Sequence, residues 1–150
     1  MTAAIVSALH VLTVALGLGS VYARGRALRG PLDEGGFRRL FVADTLWGVA
    51  ALLFVATGLA RAFGGLEKGT AFYLGSHLFW TKMALFVAIV ALELWPMITF
   101  IGWRRTRGRG GAPDTSKAGA LYVVNHVQML LAVAMVFVAA FMARGFGASR

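Results

Sequence analysis

The sequence predicts an all-α integral membrane protein, a four-helix bundle of up-down-up-down topology. Three observations lead there. The 150-residue chain is 59% hydrophobic and only 14% charged, against about 45–50% and about 25% in soluble domains. Its apolar residues fall into four stretches, each near the roughly 20 residues that a hydrocarbon core demands of a helix. Its basic residues gather in alternate connections, the pattern of the positive-inside rule. No strand-like alternation is present, and a lipid-exposed span must be a helix or part of a closed barrel.

The chain reads as one transmembrane domain, residues 1–150, with spans at about 3–23, 40–61, 72–103 and 118–143. The first span has no formal charge and no basic start, so it reads as a retained helix and not a signal peptide. His10, Thr13, Gly17 and Ser20 lie near one of its faces. The following glycines and Pro31, from Gly25 to Gly36, are expected to break the helix. The second span is interrupted only by Asp44, whose rim partner would be Arg39, His126 or a loop arginine. Asp44, Gly48, Ala51, Val55 and Gly58 share a face there, and small residues on it permit close helix approach. The third span carries Lys82 and Glu93 as its only charges before the closing arginines, and Pro96 is expected to kink it. In the fourth span, Tyr122, His126, Met129 and Val133 form the expected inward stripe. Trp80, Trp95, Trp103, Tyr22, Tyr73 and Tyr122 fall mostly near span ends, as in an aromatic belt.

The net charge of +9 is unevenly spread. Arg24, Arg26, Arg29, Arg38 and Arg39 lie between the first two spans, and Arg104, Arg105, Arg107, Arg109 and Lys117 between the last two. The second connection has only Arg61 and Lys68, and the tail only Arg144 and Arg150. Both termini are therefore expected outside the cytoplasm. The basic segments Arg24–Arg39 and Arg104–Lys117 are expected to meet the anionic headgroups of the lipid bilayer. Nucleic-acid binding is excluded, because the aromatics lie in the spans and not among the loop arginines. With no cysteine, disulfides, thiolate metal sites, iron–sulfur clusters and cysteine nucleophiles are excluded too. There is no H-x-x-x-H or H-E-x-x-H zinc pattern, no G-x-S-x-G and no dinucleotide fingerprint. A homo-oligomer stays open.

Charges inside the spans are the strongest functional pointers. A lysine at mid-membrane costs about 2.5–3.5 kcal/mol on insertion scales, so Lys82 needs a partner, a cavity or a ligand. Depth, at about 1.5 Å per residue, sorts the polar residues into two layers. His10, His77 and Lys82 form an outer group; Asp44, Glu93, Asn125 and His126 form an inner one. Lys82 and Glu93 share a helix stripe, but roughly 16 Å of helix separates them, too far for a direct ion pair. A neutral imidazole in an apolar span is a natural haem or metal ligand. His10 is thus the candidate metal ligand. His10, Lys82, His77 and His126 are the candidate cofactor-binding residues, and Lys82, Asp44 and Glu93 the candidate catalytic or proton-handling ones. By depth, His10 pairs better with Lys82 or His77 across one haem than with His126.

Several of these residues carry a resemblance. Leu9-His10-Val11 with Gly17, and Arg24 at the inner end, resembles the first helix of small bacterial haem-pathway membrane proteins of the HemJ type. The run His77-Leu78-Phe79-Trp80-Thr81-Lys82 is similar to the equivalent helix in those proteins, which are themselves similar to the copper-resistance protein D family. The nearest resemblance is to an uncharacterised family of predicted membrane proteins in that broader group. Its pattern stands here as Ala43-Asp44-Thr45-Leu46-Trp47-Gly48, Thr57-Gly58-Leu59-Ala60-Arg61, Phe72-Tyr73, Phe79-Trp80-Thr81-Lys82 and Trp95-Pro96-Met97. The HemJ resemblance implies a bacterial inner-membrane protein with b-type haem and protoporphyrinogen oxidase chemistry, its functional histidine and lysine falling on His10 and Lys82. The copper-family resemblance implies metal transport or membrane redox chemistry. Three readings follow: a haem or porphyrin site in the outer half, an ion or proton pathway through both layers, or a non-catalytic subunit whose Gly- and Ala-rich spans dock partner helices.

Overall fold

A computed structural model describes residues 1–65 and 74–146. Four helices account for nearly all of these: α1 (Thr2–Arg29), α2 (Glu34–Phe63), α3 (His77–Gly108) and α4 (Ala118–Ala143). Each is long and apolar enough to cross a membrane. Residue pairing fixes the antiparallel order. Arg24 of α1 meets Asn125 and Gln128 of α4, while Trp47 and Asp44 of α2 meet Glu93 and Arg104 of α3. Helix α1 packs closely on α2 and α4, and α4 on α3, whereas α2 and α3 approach less closely and are joined mainly by side chains. Tyr73, Lys68 and Arg150, and the start of the third span at 72, lie outside the described residues.

Helices α1 and α2, of 28 and 30 residues, exceed the spans read from hydropathy; α3, of 32 residues, matches its span in length but ends later, and α4, of 26 residues, coincides with its span. At about 1.5 Å per residue they outreach a hydrocarbon core of about 30 Å, so polar turns continue them beyond it. The α1–α2 connection is correspondingly shorter than expected. Helix α1 runs through Gly25 to Arg29, and α2 starts at Glu34 under an Asp33 cap, whose carboxylate accepts from Gly36 N at 2.7 Å. Both Gly25 and Gly36 are helical, and neither leaves room for a Cβ: Gly25 abuts Asn125 of α4 and Gly36 faces the Pro31 carbonyl. Helix α3 continues across Pro96, which is buried.

The core is layered along the bundle axis. At the basic end, Ala27, Leu28, Phe37, Leu40, Phe100, Trp103 and Leu121 form one cluster. Trp103 is thus a core residue and not part of an interfacial belt. It packs edge-on against Phe37 and donates from Nε1 to the Asp114 carbonyl, tying down the α3–α4 connection. Asp114 does not cap α4; its carboxylate accepts from Ser116 N, which lowers its pKa. Mid-bundle, Ile89, Ala132 and Met135 pack with Trp47, Phe54 and Phe86. At the far end Ala62, Phe79 and Met142 close a third cluster.

Two inward faces differ from the expected ones by a rotation of about one residue. On α4 the buried stripe is Leu121, Asn125, Gln128, Ala132, Met135 and Met142, not Tyr122, His126, Met129 and Val133. Two amides in a membrane helix must find partners inside the protein, and this requirement turns Asn125 and Gln128 inward. On α2, Ala43 and Ala50 are buried, while Gly48, Ala51 and Val55 are exposed. Trp47, with an indole N–H to satisfy, occupies the inward position instead.

Candidate functional site

The inner polar layer is organised by a residue that the charge pattern assigns to lipid headgroups. Arg24 is fully buried. It continues the stripe His10, Thr13, Gly17, Ser20 by one further helical step and points between all four helices. Its guanidinium has five N–H donors, and five contacts meet them. Nε donates to Asn125 Oδ1 at 2.7 Å, Nη1 to Glu93 Oε1 at 2.8 Å and Asp44 Oδ1 at 3.3 Å, and Nη2 to Glu93 Oε2 at 3.0 Å and Gln128 Oε1 at 2.7 Å. The Trp47 and Phe100 rings flank it, 5.5 and 5.8 Å from the guanidinium carbon.

Glu93 is the matching anion. Beside the two-pronged Arg24 contact, its Oε2 accepts from Trp47 Nε1 at 3.0 Å and Gln128 Nε2 at 2.7 Å. Asn125 Nδ2 donates onward to the Val21 carbonyl at 2.9 Å. Asp44 bridges Arg24 to Arg104, whose Nη2 lies 2.8 Å from Asp44 Oδ2 and 2.9 Å from the Phe41 carbonyl. Arg104 therefore also leaves the expected headgroup set, in part. Two arginines and two carboxylates make the cluster formally neutral, the condition under which charge survives burial in low dielectric. Trp47→Phe should remove one of the donors to Glu93 and lower stability by about 1 kcal/mol, read as a shifted unfolding midpoint in detergent.

His126 does not join this cluster. Its Nδ1 contacts the Tyr122 carbonyl at 2.9 Å and its ring lies 4.0 Å from the Tyr122 ring, both contacts within its own helix. The expected inner group is thus Asp44, Glu93 and Asn125 without His126, and with Arg24, Gln128 and Trp47 added.

The outer layer surrounds a cavity of about 560 Å³. His10 and Lys82 both line it, with Phe54, Phe79, Phe86 and Met83 among its apolar walls. Its volume falls in the range of about 300–1,000 Å³ typical of small-molecule sites. Phe54 connects the two basic residues: the His10 ring stacks on it at 4.5 Å, and Lys82 Nζ lies 5.4 Å from its centroid. His10 is buried, and its Nδ1 is 2.8 Å from Thr57 Oγ1. The Thr57 hydroxyl donates to the Leu53 carbonyl at 2.7 Å. An imidazole protonated on Nδ1 would donate to Thr57 Oγ1 and carry its lone pair on Nε2. Gly58 borders the His10 ring: a Cβ there would stand 3.5 Å from His10 Cε1, an ordinary van der Waals contact. His77 is exposed at the start of α3 and does not line the cavity. Among the described residues no three His, Asp or Glu side chains converge in a metal-binding group.

The model of a family described as predicted membrane proteins, DUF2214, matches residues 2–147. The chain belongs to that family. No curated protein and no solved structure matches it. Membership covers all four helices and establishes a membrane protein; the buried ion cluster and the cavity together are its candidate functional elements.

Proposed function

We propose that this membrane protein holds a b-type haem or related porphyrin in the cavity beside His10 and Lys82 and takes part in membrane redox chemistry. The observation that carries this reading is the shared lining: the His10 imidazole, the Lys82 ammonium and the Arg61 guanidinium border a cavity whose other walls are mainly aromatic and aliphatic. The donor set fits the group. His10, with Nδ1 at 2.8 Å from Thr57 Oγ1, would in its Nδ1-protonated tautomer present Nε2 to a haem iron, and Thr57 would be the outer partner that orients such a ligand. Lys82 would meet a propionate carboxylate. A bound haem supplies one-electron chemistry; the protein supplies the ligand, the cation and an apolar wall. The likeness of His10 and Lys82 to the HemJ-type pair supports the same assignment. With the basic end toward the cytoplasm of a bacterial inner membrane, as the arginine distribution favours, this cavity lies in the outer half.

The inner carboxylates take a structural part in this reading. Asp44 and Glu93 neutralise Arg24, and a fixed arginine between all four helices counts against a cation or proton path through that layer. Haemin titrated into detergent-purified protein should give a saturable Soret band. His10→Ala should abolish it, and Thr57→Val should weaken binding about 10- to 100-fold. Lys82→Met should retain the band at lower affinity, while His77→Ala and His126→Ala leave it unchanged. Absence of any Soret band after haemin addition would overturn the proposal.

A further inference from the structure

A second concavity lies on the opposite half of the molecule, and its chemistry is different. Between the first turns of α2 and the last turns of α3 runs a groove of about 750 Å³. Its charged lining is Glu34, Arg38, Arg104 and Arg107; Arg104 is paired with Asp44, so Arg38 and Arg107 against Glu34 leave the mouth net positive. Two of the arginines are pre-positioned on aromatic rings. The Arg107 guanidinium carbon sits 4.6 Å from the Phe37 centroid, and that of Arg104 4.6 Å from the Phe41 centroid. Arg104 is held further by the Phe41 carbonyl, Thr45 Oγ1 and Asp44.

The groove changes character along α2. Arg38, Val42, Thr45 and Leu46 recur at i, i+4, i+7 and i+8, so they share one face. Val42 and Leu46 are exposed, as is Arg38. A basic mouth thus continues into an apolar strip running toward the middle of the span, along the side where α2 and α3 approach least closely. A free anion would use only the mouth. A phospholipid uses both parts, with its phosphate among the arginines and an acyl chain on Val42 and Leu46. Planar guanidinium groups suit phosphate oxygens, and basic pockets between membrane helices bind acidic headgroups in this manner.

We propose that this α2–α3 groove is a specific site for an anionic phospholipid. The site is distinct from the His10–Lys82 cavity and independent of what that cavity holds. Delipidated protein in detergent should gain thermal stability, saturably, on addition of phosphatidylglycerol, and should not respond to equal concentrations of phosphatidylcholine or inorganic phosphate. Replacing Arg38→Gln together with Arg107→Gln should weaken the apparent phosphatidylglycerol affinity roughly 30-fold, two basic side chains at their usual strength near an anionic surface. The charge-matched pair Arg105→Gln and Arg109→Gln, outside the groove, should retain it. Val42→Trp leaves every charge in place and fills the apolar strip, and it too should lower the affinity. An equal response to phosphatidylcholine, or a response to phosphate alone, would overturn the lipid site. Equal losses in both arginine pairs would reduce it to diffuse surface charge.

Discussion

Replacing Arg24 by leucine should destabilise the bundle by about 3–5 kcal/mol, the usual consequence of removing one partner of a buried ion pair. Its five donated contacts vanish together, and Glu93 is left beside Trp47 and Gln128 with no cation. Asp44 fares better, because Arg104 remains 2.8 Å away. Glu93→Leu should be comparably severe for the opposite reason: Arg24 stays buried with only the more distant Asp44 contact, at 3.3 Å, to balance it. The double variant Arg24→Leu, Glu93→Leu removes both charges and should recover a large part of the loss, since apolar replacement of a whole buried pair is often neutral. Unfolding midpoints of the four proteins in one detergent, combined as a double-mutant cycle, measure this coupling. Additive losses would show that the two residues do not act as a pair.

Gly25→Ala should cost about 2–4 kcal/mol, although alanine is the better helix former. A Cβ at this position would lie 2.7 Å from Asn125 Nδ2 and 3.2 Å from His126 Cε1. Asn125 has little freedom to yield, because its amide is fixed at one end by Arg24 Nε and at the other by the Val21 carbonyl. Either α1 and α4 separate or Asn125 gives up its bond to the guanidinium. Gly19→Ala provides the comparison: nothing lies within 4 Å of its added methyl, so it should be neutral or slightly stabilising. The two variants have the same chemistry in the same helix, and thermal unfolding in detergent separates propensity from packing.

The extent to which this architecture is legible in the sequence follows from the range of the forces involved. Hydropathy marks the four spans, because lipid imposes its demand on each helix separately. The stripe on the first helix is legible from His10 to Ser20 by periodicity, and one further step along it would have reached Arg24. Its place after the apolar run and beside Gly25 gives it instead the look of loop charge. The fourth helix offers two stripes about 100° apart, one with Tyr122 and His126 and one with Asn125 and Gln128. Only the guanidinium waiting across the interface chooses the second.

Composition and charge order by themselves determined that this chain is a four-helix membrane protein, that its basic residues crowd one end, and that Asp44, Glu93, His10 and Lys82 need an explanation. The apolar length that lipid demands is a property of single helices, so one dimension of sequence suffices for it. Pairing was decided only by tertiary structure. It assigned Glu93 to Arg24, Asp44 to Arg24 and Arg104, and His10 and Lys82 to one cavity, and it left His77 and His126 outside both groups. The physical reason is that hydrogen bonds and ion pairs act over about 3–4 Å. Partners 20 to 104 residues apart meet only after helix rotation and depth have been set by packing of the whole bundle.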